Sequence, residues 1–137
     1  SKLKKFANKL KLKFIVSPFS IEAAKTLKKI DIDGYKIASG EVTNHPLLNT
    51  ISSFNKNIYL STGMSTYKEI DNAIKILKTR KLTLMQCTSQ YPCPVDKVGL
   101  NVLEKFKKYN CYMGFSDHTL GFSGAISFIA NGVSVIE

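Results

Sequence analysis

Serine residues follow four apolar stretches of the chain, at positions where a buried strand would end. They are Ser39, Ser61, Ser89 and Ser116. The carboxyl ends of parallel strands meet at one edge of a sheet, which is where an α/β barrel places its active site. A single serine after a strand usually caps the next helix. Four on separate strands could together surround a phosphate group with hydroxyl and backbone donors, beside nearby helix N-termini. The pattern indicates an enzyme.

Ionisable residues accompany two of these serines. Lys36 lies inside an apolar strand, where an unpaired ammonium group is costly to bury. It either extends to a strand edge or binds an anionic substrate near Ser39 and Glu41. Strict alternation places Lys36 and Ser39 on opposite faces of the strand. Their convergence therefore requires the strand to bend or end around Ala38.

A histidine and an acid stand at the end of a later apolar run, in Ser116-Asp117-His118. A lone histidine is often structural. The neighbouring acid and the position at a strand end make a role in metal binding or acid/base chemistry equally compatible with the pattern. A sixth run, VSVIE, ends on Glu137.

Six apolar runs without polar alternation predict strands that are buried on both faces, as in a parallel sheet. Their spacings of about 21, 23, 24, 30 and 21 residues correspond to roughly one β/α unit each. The predicted strands begin near Phe14, Tyr35, Ile58, Leu82, Tyr112 and Val133.

The segments between the runs carry helix signals. Thr66 and Glu69 form a capping-box pattern, and Pro46 suits a first helical turn. Ser20 can cap a further helix, and Gly132 is typical of a helix C-terminus.

Six such units do not close an eight-stranded barrel, which takes about 250 residues, and an open doubly wound sheet would suit the 137 residues better. Polar chemistry at every strand end favours the barrel, because an open sheet concentrates its ligands at one switch point. The chain also starts in an apparent helix and stops at a strand end. We predict an α/β fold with about six of the eight units of a (β/α)8 TIM barrel, within a longer polypeptide.

The composition narrows the choice of partners. A net charge of +10 raises the possibility of a basic RNA-binding module, but Arg80 is the only arginine and the lysines lie on predicted helices and in the N-terminal tail. We expect no nucleic-acid partner. No apolar run approaches the roughly 20 residues of a membrane span, so we expect no membrane partner. Cys87, Cys93 and Cys111 have no metal-ligand spacing and indicate buried, reduced thiols in a cytoplasmic protein.

Four motifs resemble the sialic acid synthase (N-acetylneuraminate synthase) family: KIASGEVTNHPLL, LSTGMSTYKEI, LMQCTSQYP and GFSDHTLGF. They stand in the family's order and spacing over residues 36–122, and the pattern continues from Phe14 to Glu137. The resemblance implies an eight-stranded barrel followed by a small antifreeze-like domain, in a domain-swapped homodimer. Residues 1–137 would then be an incomplete catalytic barrel with strands three to eight and without the C-terminal domain.

The resemblance also assigns roles to residues of the motifs. Glu41 would hold the amino sugar and, with Glu137, serve as an acid/base group, and Tyr91 would line the same pocket. His118 would bind a divalent metal, manganese or magnesium. Glu137 begins the family's E-K-H triplet, whose histidine would be the second metal ligand. The phosphoenolpyruvate-binding residues would be Lys36, Ser39, Ser61, Ser116 and Ser89, the last at a position where some members have asparagine.

The activity implied by the resemblance is the condensation of phosphoenolpyruvate with N-acetylmannosamine or a related amino sugar. The products would be a nine-carbon sialic-type acid and phosphate. A legionaminic or pseudaminic acid synthase of the same family is the alternative. Residues 1–137 alone are expected to be inactive, because two strands, the second metal ligand and the covering domain would be missing.

Overall fold

A computed structural model describes all residues, 1–137, as alternating helices and strands. The six strands are β1 (Ile15–Val16), β2 (Gly34–Ile37), β3 (Asn57–Ser61), β4 (Leu82–Cys87), β5 (Tyr112–Ser116) and β6 (Val135–Ile136). The six α-helices are α1 (Lys2–Lys9), α2 (Ile21–Ile30), α3 (His45–Ser52), α4 (Tyr67–Leu77), α5 (Val102–Phe106) and α6 (Ser123–Ala130). Short 3-10 helices span Ser39–Glu41, Val95–Lys97 and Lys107–Tyr109.

All strand pairs are parallel, and each strand lies beside its neighbour in the sequence, in the order β1-β2-β3-β4-β5-β6. The sheet curls into a half-barrel with helices between the strands. This sequential order is that of a (β/α)8 barrel, and it differs from a doubly wound sheet, whose strand order reverses at a switch point. The prediction of a partial barrel is confirmed.

The two faces of the sheet have different chemistry, because successive side chains of a strand point to opposite faces. The outer face packs against the helices in a core of 16 buried residues. Tyr35 and Ile37 of β2 belong to this core, with Ile58, Leu60, Leu82 and Leu84 of the next two strands. The inner face carries Lys36, Tyr59 and Met85, which line the interior of the half-barrel.

The helices begin where the sequence predicts. The Ser20 hydroxyl accepts a hydrogen bond from the Ala23 amide at 3.1 Å, and Pro46 lies in the first turn of α3. In the capping box, Thr66 Oγ1 accepts from the Glu69 amide at 3.3 Å, and Glu69 Oε2 accepts from the Thr66 amide at 2.7 Å. These bonds satisfy amides that have no partner within the helix.

One strand starts later than predicted: β6 begins at Val135 and not at Val133. Gly132 adopts a φ of +86° just after α6, and the Val133 amide then donates to the Phe128 carbonyl at 3.2 Å. Val133 therefore completes the end of the helix, as in a C-terminal capping motif, before the chain enters the sheet.

The three cysteines are free thiols, and Cys87 and Cys93 are buried, as predicted. Cys111 is half-buried, and this burial raises the pKa of its thiol. None of the helices has the length and apolar character that crossing a membrane requires.

Candidate active site

The carboxyl ends of β2 to β5 bring the predicted polar residues to one rim of the half-barrel. Ser61 and Ser116 are the last residues of β3 and β5. Ser39 opens the 3-10 helix that follows β2, and Thr88 follows β4 directly. Because all the strands are parallel and in register, these ends lie at the same edge of the sheet.

Ser61 and Ser116 are in direct contact across β4. Their hydroxyl oxygens lie 2.6 Å apart, and both residues are almost completely buried. In the register of the sheet, Ser61 pairs with Met85 and Ser116 pairs with Cys87. The structure thus joins two serines that the sequence separates by 55 residues. One of the two hydroxyl groups donates to the other. The accepting hydroxyl therefore keeps its own hydrogen free to donate to a ligand.

Lys36 points into the half-barrel, where its Nζ lies 3.1 Å from Glu137 Oε2. Its side chain is only 13% exposed, compared with 49% for Glu137. Both residues line an open cavity of about 290 Å³, together with Ser17, Tyr59 and Met85. The lysine does not extend to a strand edge: it presents a largely desolvated cation with one carboxylate partner.

Ser39 forms a hydrogen bond with Gly63 and not with Lys36. Strand β2 ends at Ile37, as the predicted convergence requires, and the chain turns into a 3-10 helix at Ser39. Ser39 Oγ accepts a hydrogen bond from the Gly63 amide at 3.0 Å, which connects the ends of β2 and β3. The structure does not pair Ser39 with Lys36.

Gly63 is a site residue that the sequence analysis missed. A Cβ atom at this position would lie 2.7 Å from Ser89 Oγ and 2.9 Å from both the carbonyl oxygen and Sγ of Cys87. Only glycine lets the loop after β3 approach the loop after β4 this closely. The LSTGM motif contains this glycine, but the motif alone does not show which loop comes near it.

His118 is held in one orientation by the end of β4. Its Nδ1 lies 3.0 Å from the Thr88 carbonyl oxygen, which can only accept, so Nδ1 carries the proton. Nε2 then has a free lone pair. The Tyr91 ring packs on the imidazole with 4.2 Å between centroids, and Cys87 Sγ lies 4.0 Å from Nδ1. This tautomer and support are typical of metal-binding histidines.

Within residues 1–137, His118 is the metal ligand that the resemblance implies. No three His, Cys, Asp or Glu side chains come together in a group that could hold an ion. The neutral imidazole with free Nε2 fits a divalent metal. It accounts for one position in the coordination sphere.

Glu41 lies at the rim, apart from the Lys36–Glu137 pair. Its Oε2 accepts a hydrogen bond from Asn44 Nδ2 at 2.7 Å, and Asn44 in turn caps α3 by accepting from the Leu47 amide at 3.2 Å. The carboxylate forms no ion pair within the chain. It is therefore fixed in direction by a neutral amide and keeps its charge available for a ligand.

Three separate groups of predicted residues thus form the rim and the interior: Ser61 with Ser116, Lys36 with Glu137, and His118 with Tyr91. Ser39 and Ser89 both lie against Gly63. The sequence analysis identified neither Tyr59 as part of the site nor the Thr88 carbonyl as the group that orients His118. Their contributions come from a carbonyl group and from a position on the inner face, which leave no signal in a motif.

The comparisons with known proteins agree on one family. The family profile described as "NeuB family" matches residues 1–137. An uncharacterized protein of Methanocaldococcus jannaschii is 39% identical over 98% of this chain. The N,N'-diacetyllegionaminic acid synthase of Campylobacter jejuni is 37% identical over 96% of it. The chain spans about two fifths of each of these relatives, 41% in both cases.

A crystal structure of N-acetylneuraminic acid (sialic acid) synthetase from Leptospira borgpetersenii, in complex with citrate, has the same fold. The TM-score is 0.93 with 30% sequence identity, over 99% of this chain and 49% of that one. The six strands and their helices therefore correspond to about half of that enzyme.

Proposed function

Because the chain belongs to the NeuB family, we propose that it forms part of the catalytic barrel of a synthase that condenses phosphoenolpyruvate with an N-acetylated amino sugar. The products are a nine-carbon sialic-type acid and inorganic phosphate. The observation that carries this proposal is the combination of a desolvated lysine inside the half-barrel with paired serine hydroxyls at its rim.

The Lys36 ammonium and the serines supply what binding a phosphorylated carboxylic acid requires. Lys36 offers a localised positive charge in a cavity of low polarity, where it attracts an anion more strongly than in water. Ser61 and Ser116 offer hydroxyl groups that are already ordered by their mutual hydrogen bond, so little conformational entropy is lost on binding. Ser39 and Ser89 complete the phosphoenolpyruvate-binding set at the same rim.

His118 would hold a divalent metal, manganese or magnesium, through Nε2. Such a metal acts as a Lewis acid on the open-chain aldehyde of the sugar when it is bound. The Thr88 carbonyl orients the imidazole, and Tyr91 restricts its rotation. A supporting group of this kind fixes the tautomer that binds metal.

The chain's acids are proposed to move the protons of the condensation. C3 of phosphoenolpyruvate forms a bond to the aldehyde carbon, and the aldehyde oxygen takes up a proton. Water adds at C2 and loses one proton, which leaves a hydroxyl and the phosphate on the same carbon. That hydroxyl loses its proton and becomes the C2 carbonyl as the bond between C2 and the bridging oxygen breaks, and inorganic phosphate leaves with the bridging oxygen. Glu41 and Glu137 are the acid/base groups, since both carboxylates lie at the open end of the site.

The amino sugar is proposed to lie between Glu41 and Tyr91, which are both at the rim. N-acetylmannosamine is the first acceptor to consider. The similarity to a legionaminic acid synthase favours a di-N-acetylated acceptor as the alternative. Glu41 is available to a sugar hydroxyl or amide because its only partner is the neutral Asn44 side chain.

The test is phosphate release by the full-length protein, incubated with phosphoenolpyruvate, manganese and each amino sugar in turn. We expect release with one N-acetylated sugar and none when the sugar is omitted. Lys36→Ala should lose most of the activity, whereas Lys68→Ala, which removes an exposed lysine of α4, should retain it. Absence of release with N-acetylmannosamine and with the di-N-acetylated acceptors would contradict the proposal.

A further inference from the structure

A second cavity lies at the opposite end of the half-barrel from the candidate active site. It has a volume of about 330 Å³ and is formed where the strands begin. Asn57 and Tyr112 are the first residues of β3 and β5, and Arg80 and Lys81 immediately precede β4. We call it the floor cavity. None of the residues assigned to the proposed reaction lines it.

The floor cavity carries uncompensated positive charge. None of the five ion pairs of the chain includes Arg80 or Lys81. Lys81 Nζ donates to the Asn55 carbonyl at 3.1 Å, so its charge is held at this end without being neutralised. The acids that precede β2, Asp31 and Asp33, are already paired with Lys56 and Lys4. A guanidinium group without a carboxylate is suited to a bidentate oxyanion.

Hydroxyl and amide groups surround these cations. The lining includes Asn57, Tyr59, Thr83 and Tyr112. A Cβ placed on Gly114 of β5 would lie 3.1 Å from the Thr83 methyl carbon, so the methyl faces β5. Thr83 is nearly buried and lines this cavity. Neutral donors beside an arginine complete the hydrogen-bonding shell that an oxyanion needs.

We propose that the floor cavity is a binding site for a small oxyanion, either inorganic phosphate or the phosphate or carboxylate group of a small metabolite. Arg80 is its principal ligand, and Lys81, Asn57 and the hydroxyl groups complete it. The cavity is too small for a macromolecule, and its two cationic side chains favour an anion. The site does not depend on the proposed reaction.

The floor cavity and the active-site cavity have two lining residues in common. Tyr59 and Val135 line both of them. Tyr59 is the residue of β3 that pairs in register with Lys36 of β2. An anion bound beside Tyr59 therefore lies next to the strand neighbour of the lysine that is proposed to bind substrate. The floor site would influence substrate affinity through this ring.

The experiment is calorimetric titration of the full-length protein with inorganic phosphate, in the presence of saturating phosphoenolpyruvate to occupy the active site. We expect the wild type to bind one phosphate per chain. Arg80→Gln should weaken this binding at least tenfold. Lys78→Gln removes the same charge from an exposed position nearby that does not line the cavity, and it should leave binding within twofold of wild type.

Thr83→Val provides a second test that keeps the shape of the side chain and its suitability for a strand. It should weaken phosphate binding severalfold, while the melting temperature should stay close to that of the wild type. Equal phosphate binding by wild type and Arg80→Gln would overturn the proposal, and so would equal losses in Arg80→Gln and Lys78→Gln, since these indicate diffuse attraction by net charge. If phosphoenolpyruvate itself fails to bind, the proposed reaction fails, while the loss of one phosphate in Arg80→Gln still supports the floor site.

Discussion

Lys36 and Glu137 form an ion pair that the proposed substrate anion would have to replace. Their 3.1 Å contact lies in the cavity, and the lysine is the more buried partner. A phosphate or carboxylate that binds Lys36 competes with Glu137 for the same ammonium group. The affinity of the proposed site for phosphoenolpyruvate would therefore reflect the difference in free energy between two ion pairs and not the strength of one.

We expect Lys36→Ala to weaken phosphoenolpyruvate binding by about tenfold to a hundredfold, since a charged hydrogen bond contributes about 1.5–3 kcal/mol. Glu137→Gln should have the opposite effect on binding because it removes the competing carboxylate, although turnover should fall if Glu137 moves a proton. Equilibrium binding measured separately from turnover distinguishes the two effects. Unchanged affinity in both variants would show that the pair is structural only.

His118→Ala should lower the affinity for manganese, because the variant loses the imidazole nitrogen that the Thr88 carbonyl orients. The matched control is His45→Ala, which removes the only other histidine, an exposed residue in the first turn of α3. Titration of free manganese by electron paramagnetic resonance reports binding independently of activity. We expect at least a tenfold weaker site in His118→Ala, since losing only a group that supports a metal ligand already costs about 10–100-fold in affinity. Equal manganese affinity in the two variants would exclude His118 as a ligand.

The contact around Gly63 predicts that this glycine cannot be replaced by alanine without cost. The added methyl would lie within 3.0 Å of Ser89 Oγ and of the Cys87 carbonyl, and a backbone carbonyl cannot move aside freely. Overpacking of this kind destabilises a protein by about 1–3 kcal/mol. Gly40→Ala is the control, since nothing lies within 4 Å of its added methyl. In thermal unfolding, Gly63→Ala should have a lower melting temperature than Gly40→Ala. Equal melting temperatures would contradict the close approach of the loops.

At the scale of the elements, the start of α4 depends on its capping box. Thr66→Ala removes the hydroxyl that accepts from the Glu69 amide, and we expect a loss of about 1 kcal/mol of unfolding free energy. Thr66→Ser keeps the hydroxyl and should lie close to wild type. Denaturant unfolding measures both, and an equal loss in the serine variant would assign the effect to the methyl group of threonine.

The same cap should make stability depend on pH. Hydrogen bonds from the Thr66 amide and hydroxyl lower the pKa of Glu69 below its ordinary value. A carboxyl group with a lowered pKa in the folded state stabilises the fold above its unfolded pKa of about 4.3, and this stabilisation is lost as the pH falls through the folded value. Glu69→Gln should therefore reduce the loss of stability on acidification below about pH 4.

At the scale of the whole molecule, residues 1–137 present two open sheet edges. Strands β1 and β6 each pair with one neighbour only. Leu3, Phe6, Ile126 and Ile129 are more than half exposed on the helices that precede β1 and β6. Unpaired edges and exposed apolar side chains favour association between chains.

We therefore expect residues 1–137, produced as an isolated segment, to associate in solution and to show no synthase activity. Size-exclusion chromatography with light scattering and the phosphate-release assay measure the two properties. The full-length protein, assayed in parallel, is the control. A monodisperse and active segment would contradict the interpretation that this half-barrel needs further strands.

Much of the fold follows from local patterns. The apolar runs predicted the six strands in the right order, and the caps at Ser20 and Thr66 and the glycine at Gly132 predicted helix ends that the structure confirms. These signals are local, because a cap or a strand end depends on a few neighbouring residues. Val133 was misplaced, since the same apolar residue can end a helix or begin a strand.

The sequence by itself determined which residue types stand at the strand ends, and the resemblance of four motifs supplied their proposed roles. Only the tertiary structure decided which of them meet. The 2.6 Å contact of Ser61 with Ser116, the pairing of Lys36 with Glu137 and the closeness of Gly63 to Ser89 all depend on strand register and on the curvature of the sheet. Register and curvature arise from packing across the whole core, so no single segment of the sequence encodes them.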